Sequence, residues 1–151
     1  MMTASLRLAL VLGLLAFVPS TGWAGEPDDS VEVMVKKLGG SVTRNNQLPG
    51  NPLGSVILSM SDVTDADLKS LAGLKAITYL GLYRTNITDA GLKEIAGLKT
   101  LQRIDVMKTK ITDAGLKQLS GLTALEGLEL ATTKSTAPAL RIWRRSNHCS
   151  G

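Results

Sequence analysis

Between residues 55 and 134 the apolar side chains recur with a period of 24 and fall into columns. Val56, Leu80, Ile104 and Leu128 form the first, and Leu58, Leu82, Val106 and Leu130 sit two residues further on. Alternation of that kind predicts a short strand with one buried face. Val63, Ile87 and Ile111 come next, then Leu68, Leu92 and Leu116, then Leu71, Ile95 and Leu119. A spacing of three puts the last two columns on one face of a helix. Leu74, Leu98 and Leu122 close the unit, and Ile77, Leu101 and Leu125 lead into the next strand. Each unit therefore reads strand, turn, short helix and return. A unit this small cannot bury its own apolar face, so consecutive units must stack with their strands in parallel.

The most regular stretch is Ile87-Thr88-Asp89-Ala90-Gly91-Leu92-Lys93. Ile111-Thr112-Asp113-Ala114-Gly115-Leu116-Lys117 repeats it without change, and Val63-Thr64-Asp65-Ala66-Asp67-Leu68-Lys69 departs from it at Val63 and Asp67. Threonine ahead of a helix is a good N-cap, and an aspartate beside it suits the positive end of that helix. Gly73, Gly97 and Gly121 stand where the helix must reverse. The apolar residues at 98, 101, 104, 106 and 111 resemble the leucine-rich-repeat consensus L-x-x-L-x-L-x-x-N-x-L. Together with the Thr-Asp-Ala-Gly-Leu motif, residues 53 to 134 are similar to bacterial leucine-rich repeats of the "ITDAGLKxLAGL" subtype. The resemblance implies an α/β fold, a short leucine-rich-repeat solenoid with parallel strands on its concave face, short helices on its convex face and an N-terminal helical cap. It also puts Ser61, Thr85, Thr109 and Thr133 at the family's asparagine-ladder position, where a hydroxyl bonds the backbone of the neighbouring turn.

Residues 1–24 read as a secretory signal peptide. Arg7 marks a basic start, residues 8–18 are apolar, and Gly22-Trp23-Ala24 places small residues where a cut after Ala24 needs them. The apolar run is shorter than the ~20 residues that span a bilayer, which favours cleavage over a membrane anchor. No cysteine follows the run, which excludes a lipoprotein anchor. The chain is thus expected to be exported, to the periplasm or beyond the cell. Residues 25–54 read as the cap over the first repeat. Asp29 and Glu32 match a capping box, and Val31, Val35 and Leu38 make the apolar stripe of a helix over 30–38. Gly39-Gly40 ends that helix, Ser41-Val42-Thr43 fits a short strand, and the stretch from Arg44 to Gly54 reads as a loop.

Charge and composition narrow the function. The net charge of +4 comes from Arg7, Arg141, Arg144 and Arg145, and elsewhere basic residues equal the 13 acidic ones. The repeats are therefore no polyanion-binding surface, and no nucleic acid is expected as a partner. The single histidine, His148, adjoins the single cysteine, Cys149, in the tail. Neither a nucleophile with an orienting partner nor a four-ligand zinc site can be built from them. Asp65, Asp89 and Asp113 recur at helix starts, which fits capping better than calcium binding. No catalytic residue, metal site or cofactor is expected. What remains is a surface. Tyr79, Tyr83, Arg84, Arg103, Asp105, Met107, Lys108 and Glu129 flank the buried strand positions and line the concave face. Tyr and Arg are enriched at binding hot spots, so these residues are the candidate contact surface for another protein. The competing reading is that a short sheet exposes whatever its strands carry.

The fourth unit begins in register and then fails. Thr133-Lys134-Ser135-Thr136 aligns with Thr109-Lys110-Ile111-Thr112, but Ala137-Pro138-Ala139-Leu140-Arg141-Ile142-Trp143-Arg144-Arg145 replaces the expected motif. Residues 135–151 read as an aberrant basic tail without order. Two origins stand open: a divergent natural tail, or a one-nucleotide deletion that leaves a truncated, vestigial repeat protein with no binding of its own. If a deletion occurred, the gene read in the shifted frame through codons 136–145 encodes Thr-Asp-Ala-Gly followed by a helical apolar stripe. Tryptophan has a single codon, so that frame must give Leu or Met across Ile142-Trp143. Sequencing the gene decides, and a shifted frame without the motif ends the idea.

Overall fold

The structure, a computed structural model, describes residues 26–131. The leader expected at 1–24, Thr133 and the tail at 135–151 lie outside the described residues. Helix α1 (Glu26–Lys37) is followed by strands β1 (Ser41–Arg44) and β2 (Leu53–Ile57). Short helices and strands then alternate as α2 (Asp65–Leu68), β3 (Tyr79–Gly81), α3 (Asp89–Ile95), β4 (Arg103–Asp105), α4 (Asp113–Gln118) and β5 (Gly127–Glu129). The strands form one sheet in chain order, β1 antiparallel to β2 and the rest parallel. Its register advances by one period per strand: Val56 faces Leu80, Leu80 faces Ile104, and Ile104 faces Leu128. The α/β class, the parallel sheet and the short helices agree with the periodic pattern.

The apolar columns enclose the core between the strands and the helices. Val56, Leu58, Leu80, Leu82, Ile104 and Val106 are buried from the sheet side, and Leu68, Leu92, Ile95 and Leu116 from the helix side. Each buried aliphatic side chain contributes about 1.5–3 kcal/mol. Leu128 and Leu130 are only half-buried against this core, so it thins at the last described turn.

Helix α1 starts earlier than the sequence pattern suggests. Asp29 lies inside the helix, so it is no N-cap, and the expected capping box with Glu32 is absent. Both carboxylates serve Arg44 of β1 instead, at 2.7 Å from Asp29 and 2.6 Å from Glu32. Hydrogen bonds from Lys36 and from Arg44 hold the Glu32 carboxyl below its ordinary value. Asp28, buried, accepts the Leu53 N–H at 2.8 Å and ties the helix to β2. Val31 and Val35 enter the common core, as the stripe predicts. The helix ends as expected: Gly39 has φ 77°, its N–H donates to Lys36 O, and the Gly40 N–H donates to Val35 O. This pair of bonds is a Schellman motif, whose left-handed residue favours glycine. Gly73, Gly97 and Gly121 do not repeat it, because none has a positive φ. The later helices reverse through tight turns, with Leu74, Leu98 and Leu122 donating to carbonyls three residues back.

Two further expectations are corrected. The hydroxyls of Ser61, Thr85 and Thr109 do not reach a neighbouring unit. They donate to Leu58 O, Leu82 O and Val106 O within their own turn, at 2.6, 2.8 and 2.6 Å. At these positions a carbonyl three residues back is within reach and takes the hydroxyl, whereas Thr78 and Thr100 donate across units to Gly54 O and Ile77 O at 3.0 and 2.8 Å. The aspartates do cross it on the helix side. Asp65 accepts the Thr88 N–H at 2.9 Å and the Thr88 hydroxyl at 2.6 Å. Asp89 does the same for Thr112 at 2.8 and 2.6 Å. Thr88 and Thr112 are N-caps as expected, accepting from Ala90 N–H and Ala114 N–H. The aspartates therefore join consecutive units rather than cap their own helices.

This ladder explains the glycine of the motif and its exception. A Cβ on Gly115 would collide with the Asp89 carboxylate, and one on Gly91 would meet Asp65 Oδ1 and lie 2.9 Å from Ile87 Cγ2. The first unit has no aspartate one period earlier; Ser41 stands there, in β1. Position 67 is thus free to carry Asp67, which accepts from both the N–H and the hydroxyl of Thr64 at 2.9 and 2.7 Å. Gly115→Ala is expected to destabilise the fold by about 2–3 kcal/mol. Asp89→Ala should cost about 1–3 kcal/mol through its two lost hydrogen bonds. In urea unfolding the double variant should lose less than the sum, because the carboxylate that blocks the methyl is gone. Strict additivity would refute the steric account.

Candidate interaction face

Side chains between the buried strand positions point to the open face of the sheet, away from the helices. The register sorts them into columns. Ser55, Tyr79, Arg103 and Gly127 are partners across the strands, as are Ile57, Gly81, Asp105 and Glu129. Backbone bonds carry the order one step beyond the strands: the Met60 N–H donates to Tyr83 O, Arg84 to Met107 O and Lys108 to Ala131 O. Ser59, Tyr83, Met107 and Ala131 thus form a third column, and Met60, Arg84 and Lys108 a fourth.

Each column has its own chemistry. Tyr79 leans along its strand over Gly81, whose missing side chain leaves the room; a Cβ there would lie 3.3 Å from Tyr79 Cε1. Burial pushes the Tyr79 hydroxyl's pKa up, helped by the charges of Asp105 and Glu129, and Arg103 opposes the rise. The stem of Arg103 lies across Gly127 in the same way, with Cγ 2.6 Å from the Cβ position. Asp105 is buried because its carboxylate accepts the Met107 N–H at 2.9 Å. It locks the turn after β4 and is the least available of the candidate contacts. Glu129, Arg103, Arg84 and Lys108 are exposed; Tyr79, Tyr83 and Met107 are half-buried. Lys108 Nζ sits 5.3 Å from the centre of the Tyr83 ring. Such a cation–π contact contributes about 0.5–1 kcal/mol at an exposed site.

Met60, Arg84 and Lys108 share one further property. Their φ angles are 59°, 54° and 55°, all left-handed. A residue with a Cβ is disfavoured there by about 1–2 kcal/mol, and glycine is not. Met60 is 68% exposed and was not among the sequence candidates. The signal that could have found it is its alignment, one period back, with Arg84. It extends an apolar patch with Ile57, which is 38% exposed. The candidates therefore surround a small apolar field, flanked by cations at one end of the strands.

A concavity lies on the flank of the repeats. It has a volume of about 600 Å³ and is lined mainly by the 45–52 loop and by the turns that precede β3 and β4, among them Leu48, Pro49, Pro52, Lys75, Lys99 and Gln102. None of the candidate face residues lines it. Among the described residues no cluster of three histidine, cysteine, aspartate or glutamate side chains could hold a metal. His148 and Cys149 lie outside the described residues. No described helix is long and apolar enough to cross a membrane.

Residues 97–120 match the Leucine Rich repeat family. The chain is also similar in structure to Leiomodin-1 Actin-Binding Site 2, with a TM-score of 0.53 and 16% sequence identity, over 78% of this chain and 70% of that one. At that identity the likeness is one of fold. No curated protein matches the sequence. The matched segment begins after α3 and spans β4 and α4, and its 24 residues equal one period of the apolar columns.

If the left-handed backbone at Arg84 is strained as argued, Arg84→Gly should stabilise the fold by about 0.5–1 kcal/mol in urea unfolding. A loss of that size would mean that the Arg84 side chain holds contacts the geometry does not contain.

Proposed function

We propose that this chain is a non-catalytic scaffold that binds another protein through the open face of its sheet. The fold is read as a short solenoid whose concave face is that sheet, with α1 and β1 as an N-terminal cap. Helix α1 packs on β1, β2 and the first 3-10 turn, Lys69–Gly73, which supports the reading as a cap. The observation that carries the function is the exposed field of Ile57 and Met60 beside Tyr79 and Tyr83, with Arg84 and Arg103 at its margins. Aromatic and arginine side chains around an apolar centre are the composition of binding hot spots. The structural neighbour is an actin-binding site, which supports a protein partner as a class and no partner in particular. Export rests on the character of residues 1–24, and the bacterial subtype on the repeated Thr-Asp-Ala-Gly-Leu motif.

The test uses the exported chain, whose mass should begin at Gly25. The wild type should capture a defined protein from its own compartment. Tyr83→Ala with Arg103→Ala should abolish capture while leaving the melting temperature within about 2 °C. Capture that survives this pair, and a matching change at Tyr79, would move the function off this face.

A further inference from the structure

The row Met60, Arg84, Lys108 sits at one end of the strands, where neighbours stand about 4.8 Å apart. Arg84 and Lys108 are therefore two adjacent cations. Neither has an ion-pair partner among the described residues, whose ion pairs join Lys36 and Arg44 to Asp29 and Glu32. The acids of the face do not relieve them. Asp105 and Glu129 stand in the column of Gly81, and the Asp105 carboxylate is committed to the Met107 N–H. A lysine row also runs along the helix side, Lys69, Lys93 and Lys117. It is less crowded, because packed helices stand about 8–10 Å apart. It is also one residue copied by the repeat, whereas Met60, Arg84 and Lys108 are three different long side chains. All three occupy a left-handed position that glycine would fill without strain.

We infer that the face takes an acidic protein segment with an apolar anchor: carboxylates meet Arg84 and Lys108, and an aliphatic or aromatic side chain seats on Met60, Ile57 and Tyr83. This rests on the proposed use of the open face. An arginine fork donates two parallel hydrogen bonds to a carboxylate, and the lysine adds a second charge one strand away. The exposed apolar surface of Ile57 and Met60 lies beside these cations, so one short segment spans both. The chain's own tail, with Arg141, Arg144 and Arg145, has the wrong charge to be that segment.

The test is selection of a random-peptide library against the full chain, followed by affinity measurements on the selected peptides. Selected sequences should carry aspartate or glutamate within a few residues of an apolar side chain. Arg84→Glu with Lys108→Glu should weaken their binding by at least about tenfold. Raising the salt from about 0.05 to about 0.5 M should weaken the wild type, whereas the double variant, now repelling the acidic segment, should not be weakened. Met60→Ser should weaken binding with no change in the salt dependence. Peptides that need Tyr83 and Ile57 but are neutral or basic, and that ignore the charge reversal, would overturn this inference and leave the face as the binding surface. Peptides indifferent to every substitution on the face, or no enrichment over a blank selection, would overturn both.

Discussion

The Asp89 carboxylate accepts two hydrogen bonds from Thr112, one from its N–H and one from its hydroxyl, and Asp65 holds Thr88 in the same way. One side chain thereby fixes where the helix of the next unit begins. The helices need that help. α3 has 7 residues and α4 has 6, and isolated helices shorter than about 12–15 residues do not hold in water. The carboxylate sets the helix start from outside, and the buried leucines then hold the turn. The same contact dictates glycine two residues into the next helix, because the carboxylate occupies the volume of a Cβ. A motif that reads as a helix signal in one dimension is a joint between units in three.

On the sheet side the joint is the strand ladder. It advances by one period per strand, so every residue lies beside its own counterpart in the next unit. Small residues then act on their neighbours: Gly81 makes room for Tyr79, and Gly127 for the Arg103 stem. The tight turns after β2, β3 and β4 each add one left-handed residue at a fixed place. They turn Met60, Arg84 and Lys108 into a continuous rim. Rim and sheet together hold all the aromatic and unpaired arginine side chains of the described face.

Much of this was legible in the period. A 24-residue repeat with strand alternation followed by helical spacing gives the order of elements, the parallel register and nearly the whole core. Those features follow from where apolar residues stand, and that is written in one dimension. The misreadings have a common cause. Asp65 and Asp89 beside helix starts looked like caps because their true partners stand 23 residues on. Thr85 and Thr109 looked like links between units because the family position implied it, but their hydroxyls donate to Leu82 O and Val106 O in their own turns. Asp29 and Glu32 matched a capping box, and Arg44 claimed them across the fold. In each case a polar side chain chose among partners that spacing alone does not rank. Met60 was missed for a different reason: its exposure depends on a left-handed backbone, which its residue type argues against.

Within the chain, position by position, the units differ in a way that exposure alone does not explain. Ala66, Ala90 and Ala114 are exposed on the helix side and identical, and so are Lys69, Lys93 and Lys117. Solvent contact did not make those positions drift apart. The open face behaves otherwise: Ser55, Tyr79, Arg103 and Gly127 share one place in the repeat, and Ile57, Gly81, Asp105 and Glu129 share another. Stacking shapes these columns too, since Gly81 leaves room for Tyr79 and Gly127 for the Arg103 stem. Other exposed helix-side positions vary as well, as Ser70 and Gln118 do, so variability alone does not single out the open face. A surface made of copies would present one chemistry along its length and recognise nothing in particular. The varied face presents an apolar centre, a cationic rim and an acidic step in a fixed order, and a fixed order of unlike groups is what specific recognition requires.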